Sequence, residues 1–591
     1  MCGFEVIAGH SEFVDACRPF GDLLSHRGPD MDGQYVSPSG QFGAFHHRLA
    51  IVDQTVDSRQ PLQSVDGRYV LVFNGEIYNY REIRNQLSSQ YDFISSGDSE
   101  VLLAAFVVEH FKGIGKLNGM FSAAIWDNDQ QELYCFRDRF GVKPLFYSLG
   151  QSHVFVASEP KALLRQQRDI RLNPRAAIEF GVANLLHHGR GTFWTNVFRL
   201  LPGHMLRYRV QDNSVHVCPW YELPDAIADE NEWTTLEAAD ELHGLLMDSI
   251  KVRSDVEVPI GLAFSSGVDS NVILRQFRAT WPSRGLHLLT LGYSPDAGFG
   301  ELASVKALAS EFPDFAFSSS VLDCRDVPRL AAEAIAAHDE PFGGIPSLGM
   351  MQLFRQARDL GIKVMLDGNG ADESLCGYDY YRDQRGSNGE ILPVHGLSAS
   401  SDPGLCRLFD DEVVRGHFAA RSDFLGYSAQ ELHAASPKEL QRRDICFTKI
   451  PKSCQFRDRE SMHSSVEVRS PFLDYRFVEY GMRLPSGLLN GHYGAGKTPL
   501  RLIAGRLGFS PKPKLSIPSP QQHWLRGCLR PWLVSTAETA LSGSFGEILN
   551  RAYLLDLFNK DELEDRQLAD LWIAAQLGLL SQLEHARRLS T

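Results

Sequence analysis

Val258-Pro259-Ile260-Gly261-Leu262-Ala263-Phe264 runs directly into Ser265-Ser266-Gly267-Val268-Asp269-Ser270. The first seven residues form an apolar run of single-strand length, a loop of small residues follows, and Ser270–Arg278 reads as a helix. A small-residue loop between a strand and a helix presents backbone N–H groups and the positive helix end to an anion such as phosphate. Working outward, Leu286–Tyr293 reads as strand, Leu302–Glu311 as helix, Met350–Gly361 as helix and Ile362–Leu366 as strand. Upstream, Leu236, Ala239, Leu242, Leu246 and Ile250 recur at helical spacing behind Thr234 and Thr235 as caps. Such alternation predicts a parallel sheet wrapped by helices. Beyond about residue 410 the pattern is mostly helical, and the Gly-, Ser- and Pro-rich stretch 385–404 reads as a loop or lid placed to help choose a substrate.

Residues before about 210 follow a different pattern. Val70-Leu71-Val72-Phe73, Phe121–Asp127, Leu133–Phe136, Leu145–Tyr147 and Val154–Ala157 are short strand candidates separated by turns. Residues 211–233 are polar and irregular, so the expected division is a sheet-rich domain over 2–210, a linker over 211–233 and an α/β domain over 234–591. With 43% hydrophobic and 22% charged residues in 591, the chain has the composition of a soluble globular protein with ample core. A net charge of −14 argues against a nucleic-acid-binding surface. Ten cysteines without any CxxC pair are neither a disulfide framework nor a zinc site, which points to a reducing compartment. No apolar run reaches transmembrane length and no signal-peptide pattern opens the chain, so the expected location is the cytoplasm, with no membrane partner.

Cys2 follows the initiator methionine. Removal of Met1 would give a thiol sharing a residue with a free α-amine, whose pKa of roughly 7.7–8.0 suits a general base at neutral pH. That is the N-terminal nucleophile arrangement. Four clusters accompany it: Arg27-Gly28-Pro29-Asp30, His47-Arg48-Leu49, Asn74-Gly75-Glu76 and Gly97-Asp98-Ser99-Glu100. Singly, each reads equally well as a plain turn or a surface ion pair. Their joint order, continued by Gly119-Met120-Phe121, Arg137-Asp138-Arg139, Gly141–Leu145 and Ser158–Leu163, resembles the glutaminase domain of class B asparagine synthetases and related class II glutamine amidotransferases.

The resemblance implies an N-terminal nucleophile αββα sandwich, followed by an ATP-pyrophosphatase domain with a doubly wound parallel sheet and added helices. It implies Cys2 as nucleophile, Arg48 as partner of the glutamine carboxylate, and Glu76 and Asp98 as partners of its α-ammonium. Asn74 and the Gly75 N–H would form the oxyanion hole. In the second domain, Ser265, Ser266, Gly267, Asp269 and Ser270 resemble the pyrophosphate loop usually written SGGxDS. Asp367-Gly368-Asn369-Gly370-Ala371-Asp372-Glu373 resembles the synthetase segment SGEGADE. ATP contacts would then fall at Ala263, Leu291, Asp367 and Gly368, and Mg²⁺ would lie between Asp269 and Asp372. Lys514 would sit near the reacting phosphates.

The implied activity is ATP-dependent adenylation of a carboxylate and its conversion to an amide by glutamine-derived ammonia. Small molecules (glutamine, ATP and the acceptor carboxylate) would be the partners; dimers are common in the family, so a homodimer is a further expectation. Asn369 stands where asparagine-forming members carry Glu, and it neither ionises nor acts as a base. Asp367 replaces a serine. Both changes point to an acceptor other than free aspartate, a sugar uronate or a biosynthetic acid. A conventional asparagine synthetase, a ring-closing enzyme of the β-lactam synthetase type and a catalytically silent scaffold are the alternatives. Gly491–Thr498 fits the P-loop pattern GxxxxGK[ST], but the preceding run is a poor core strand; Lys497 and Leu500-Arg501 match a family helix start away from the nucleotide.

Overall fold

The computed structural model describes residues 2–10, 22–167, 169–224, 234–294, 298, 300–381, 407–414, 436–490, 496–510 and 519–590. The lid-like stretch 385–404 and Lys514 lie outside these residues.

Two antiparallel six-stranded sheets build the first domain. One has the order β10-β8-β9-β1-β3-β2, from Phe198–Arg199, Phe146–Leu149, His153–Ala157, Cys2–Gly9, Phe42–Arg48 and Met31–Val36. The other has the order β12-β11-β7-β6-β5-β4, from Ser214–Pro219, His204–Arg209, Glu132–Arg137, Gly119–Asp127, Tyr69–Ile77 and Leu62–Gln63. Strand periodicity explains the layering. Phe4, Val6 and Ala8 on β1 meet Val70 and Val72 on β5 between the sheets, where Phe42 stacks on Trp126 at 5.0 Å. The alternate residues Leu71 and Phe73 face outward onto the helix Asp98–Glu109, while Ile7 faces the cluster containing Leu163 and Leu164. The result is the αββα sandwich. Within the stretch expected to be irregular, Ser214–Pro219 forms a strand that pairs with β11 at the sheet edge, with His216, Val217, Cys218 and Pro219 exposed.

The second sheet region is parallel, with the order β15-β14-β13-β16-β17, from Ala316–Leu322, His287–Tyr293, Ile260–Ala263, Val364–Leu366 and Glu467–Arg469. The chain leaves the central strand β13 in one direction and resumes on its other side at β16. That reversal opens a crevice at the C-terminal strand ends, where ligands bind in such sheets. Helices cover both faces, as in a doubly wound sheet: Val268–Thr280 with Thr235–Ser254, and Ile345–Asp359 with Lys449–Met462. The helix expected from Met350 begins five residues earlier, because Pro346 is tolerated in a first turn. Among the described residues no helix is long and apolar enough to cross a membrane.

Candidate active site

Register places the first pocket. Cys2 on β1 lies opposite Arg48 on β3, and Asn74 on β5 lies opposite Ser122 on β6. The Cys2 backbone N–H donates to Asn74 Oδ1 at 3.0 Å, and Asn74 Nδ2 reaches Ser122 Oγ at 3.5 Å. Gly75 is required sterically, since a Cβ there would stand 2.1 Å from the Met120 carbonyl oxygen. Cys2, Arg48, Gly75, Glu76 and Asp98 line one pocket with Ser58, and Asn74 is buried beside Cys2. Burial pushes the Cys2 thiol up, opposed by the Leu49 backbone and the Arg48 charge. The Arg48 guanidinium donates to the carbonyls of Val52 at 3.1 Å, Thr55 at 3.0 Å and Asp53, which fixes the loop that closes one side.

The other side carries an excess of acid. Fully buried Arg469, at the end of β17 in the second domain, donates to Glu76 Oε2 at 2.9 Å, Glu467 Oε1 at 2.6 Å and the Arg253 carbonyl at 3.0 Å. Asp98 accepts the Ile77 N–H at 2.8 Å. Two carboxylates, Glu76 and Glu467, thus share one guanidinium, with the Asp98 carboxylate buried beside them. Burial opposes ionisation of Glu467, but Arg469 overrides it and holds the carboxyl down at about 2. Burial raises Glu76 and pushes Asp98 up to about 6, with Glu467 adding to both.

The second candidate site lies at the C-terminal ends of β13 and β16. Ser270 Oγ accepts the Ser265 N–H at 3.2 Å, and Ser265 Oγ accepts the Gly267 N–H at 3.2 Å. The Ser266 N–H donates to Glu301 Oε2 at 3.1 Å, and the Ser266 hydroxyl donates to the same oxygen. Half-buried Ala263 and Leu291 sit on the neighbouring strands, and a Cβ at Gly368 would lie 2.9 Å from Asp269 Cβ. Lys497 Nζ donates to both oxygens of Asp269 at 2.8 Å and lies 2.8 Å from Asp372 Oδ1. The two aspartates therefore converge on one cation. Among the described residues no group of three or more His, Cys, Asp or Glu converges to hold a metal. Two carboxylates beside a phosphate-type loop nevertheless fit Mg²⁺, which uses one or two carboxylates together with phosphate oxygens.

Asp367 is buried, accepts Ser470 Oγ at 2.5 Å and the Asn369 N–H at 3.2 Å, and lies 3.5 Å from Arg457 Nε. Burial raises its carboxyl, while Arg457 and Ser470 pull it down. The Asn369 amide points at Cys454 Sγ, 3.8 Å away.

Several sequence clusters prove to be joints between the domains. Arg27 grips Asp458 with two bonds of 2.8 and 3.0 Å, Glu159 at 2.8 Å and the Cys2 carbonyl at 3.0 Å. Arg459 reaches the same Glu159 at 2.8 Å. Asp138 accepts the backbone N–H groups of Phe121, Phe140, Val142 and Lys143 and so shapes the 138–143 turn. The segment Glu467–Asp474 matches the family in sequence, but sequence reasoning gave Glu467 and Arg469 no role in the first pocket, missed Glu301, and placed Lys497 away from the aspartates it joins.

Comparison with known proteins agrees with this architecture. Residues 1–221 match the model of a glutamine amidotransferase domain, and residues 241–583 match that of asparagine synthase. Glutamine-hydrolyzing asparagine synthetase 1 of Bacillus subtilis (strain 168) is 26% identical, covering 96% of this chain and 94% of that protein. The second such B. subtilis synthetase is 29% identical over 82% of this chain and 65% of its own length. Amidase chry2 of Gibberella zeae is 28% identical over 65% of this chain and 60% of its own. With more than half its length matched by one family model, the chain is an enzyme of the asparagine synthase family that carries a glutamine amidotransferase domain at its N-terminus.

Proposed function

We propose that the chain hydrolyses glutamine at Cys2 and uses the ammonia to amidate a carboxylate activated by ATP in the crevice of the second domain. The observation that carries the reading is the convergence of Cys2, Arg48, Gly75, Glu76 and Asp98 on one pocket. Glutamine brings an anion, a cation and an amide, and these groups answer all three. The Cys2 sulfur attacks the amide carbon, Asn74 Nδ2 and the Gly75 N–H stabilise the oxyanion, and ammonia leaves a thioester that water converts to glutamate. The α-amine of a Cys2 freed from Met1 takes and returns the proton, held in place by Asn74 Oδ1.

In the crevice an oxygen of the acceptor carboxylate attacks the α-phosphorus of ATP and pyrophosphate departs. Ammonia then attacks the acyl carbon, giving the amide and AMP. Ser265, Ser266, Gly267 and Ser270 hold the phosphates, with Lys497 beside them, and Ala263, Leu291 and Gly368 border the nucleotide. Mg²⁺, held by Asp269 and Asp372, would supply neutralising charge to the phosphates when bound.

The acceptor is a carboxylate other than free aspartate. In support, Asn369 cannot serve as a base, and Asp367 already satisfies Arg457 and Ser470 beside the reaction point. Asparagine formation is the second reading, favoured by relatives of that name spanning nearly the whole chain. Acceptor-dependent pyrophosphate release with glutamine, Mg²⁺ and ATP decides between them. Release with a uronate or another acid, and silence with aspartate, is expected; strong release with aspartate and asparagine among the products overturns the acceptor reading. Cys2→Ala is expected to abolish glutamine-dependent synthesis and keep ammonia-dependent synthesis. Retained glutaminase activity in that variant would remove Cys2 from its role.

A further inference from the structure

We propose that Glu301 is a built-in competitor for the pyrophosphate loop and sets how tightly the second pocket takes a nucleoside triphosphate; the inference rests on the reading of that pocket as an ATP site. The loop's other two amides are satisfied within the loop, Ser265 N–H by Ser270 Oγ and Gly267 N–H by Ser265 Oγ. The Ser266 N–H and hydroxyl, beside the N-terminus of the helix Val268–Thr280, are both spent on the Glu301 carboxylate. A carboxylate there is the same kind of ligand as a phosphate oxygen, an anion on a backbone N–H near a positive helix end.

Glu301 does not sit on the loop for want of a nearer task. It holds the N-cap position of the helix Leu302–Ala309, yet its side chain caps none of that helix's own N–H groups and reaches 35 residues back instead. Gly300 precedes it at φ +125, a backbone conformation side chains rarely adopt. Gly300 is thereby set in a geometry that favours glycine, directly before the residue that reaches the loop.

The consequence is arithmetic. A phosphate oxygen and the Glu301 carboxylate cannot share the Ser266 N–H, and their charges repel at that distance. Triphosphate binding must first free the loop, so the apparent dissociation constant is the intrinsic one divided by the fraction of molecules with Glu301 withdrawn. A charge-assisted contact that is partly exposed supports an effect of about threefold to tenfold.

The test is calorimetric titration of the full chain with MgATP and, separately, with magnesium pyrophosphate, in wild type, Glu301→Gln, Glu301→Ala and Glu301→Asp. Gln removes the charge at constant shape, Ala removes the occupant, and Asp keeps the charge but shortens its reach. All three are expected to bind both ligands about three to ten times more tightly than wild type, with a lower KM for ATP in synthesis. Tighter binding is an outcome that damage to the fold does not produce, and melting temperature identifies any variant that fails to fold. Wild type that binds both ligands, with every folded variant equal to it or weaker, overturns the inference alone and makes Glu301 a bystander or a ligand contact. Wild type that binds neither removes the reading of the pocket itself, and the inference with it.

Discussion

Around Cys2 the chain leaves negative charge uncompensated, with Glu76 and Glu467 sharing the Arg469 guanidinium and Asp98 buried beside them, whereas in the crevice beyond β13 and β16 it supplies partners to its own charges. There Lys497 stands between Asp269 and Asp372, Glu301 occupies the Ser266 amide, and Arg457 with Ser470 answers Asp367. The first pocket is therefore set for a ligand that brings a cation, and little has to move. The second must exchange internal contacts for ligand contacts before its chemistry begins. On the proposed reading the first arrangement suits a small zwitterion, and the second, whose charged groups already hold partners, suits a highly charged nucleotide that displaces them.

The comparison breaks most visibly at Arg469, which belongs to one domain and completes the pocket of the other. Arg469→Met leaves Glu76 and Glu467 buried without their shared cation, a loss expected at about 3–5 kcal/mol of unfolding free energy. A urea midpoint unchanged from wild type would mean that both carboxyls are already neutral and that the first pocket carries no surplus charge. Asn74→Ala comes next. It removes the tether on the Cys2 nitrogen and the proposed oxyanion donor, so glutaminase kcat is expected to fall by about 10²–10³-fold while ammonia-dependent synthesis is kept. If both activities fell together, the two pockets would not be the separate devices their electrostatics describe.

Most of the first pocket was legible because its groups come in short local words: Cys2-Gly3, Asn74-Gly75-Glu76 and Gly97-Asp98 each follow from one strand or one helix start. The loop after β13 was legible for the same reason. What stayed hidden is what the chain brings from afar. Glu467-Val468-Arg469 has two charges in three residues and no strand periodicity, yet it is a fully buried strand, because its charges close on each other and on Glu76, 393 residues from Arg469. Arg27 reads as part of a turn, and its partner Asp458 stands 431 residues away. Lys497 was assigned correctly to a helix start; its left-handed backbone at φ 54, which aims the side chain at Asp269 across 228 residues, leaves no trace in the local pattern. Propensity reports on neighbours in sequence, and ion pairs across a domain boundary are made by neighbours in space.

The finest test of the charge deficit is its pH dependence. Asp98 is pushed up to about 6, first by burial and then by Glu467, so in the free enzyme it takes up a proton as the solution is acidified through that value. An α-ammonium placed beside it stabilises the ionised form and lowers its pKa in the complex. Binding glutamine therefore releases a proton below about pH 6 and none well above it, and affinity must fall with acidity in that window only. The limiting slope is about tenfold in KM per pH unit for one linked proton. Steady-state glutaminase assays between pH 5 and 8 should show a flat KM above pH 7 and a rise below pH 6, and Asp98→Asn should raise KM at neutral pH while flattening the acid limb. A KM that falls on acidification would place the ligand's positive end elsewhere, and a limb retained in Asp98→Asn would assign the proton to Glu76 instead.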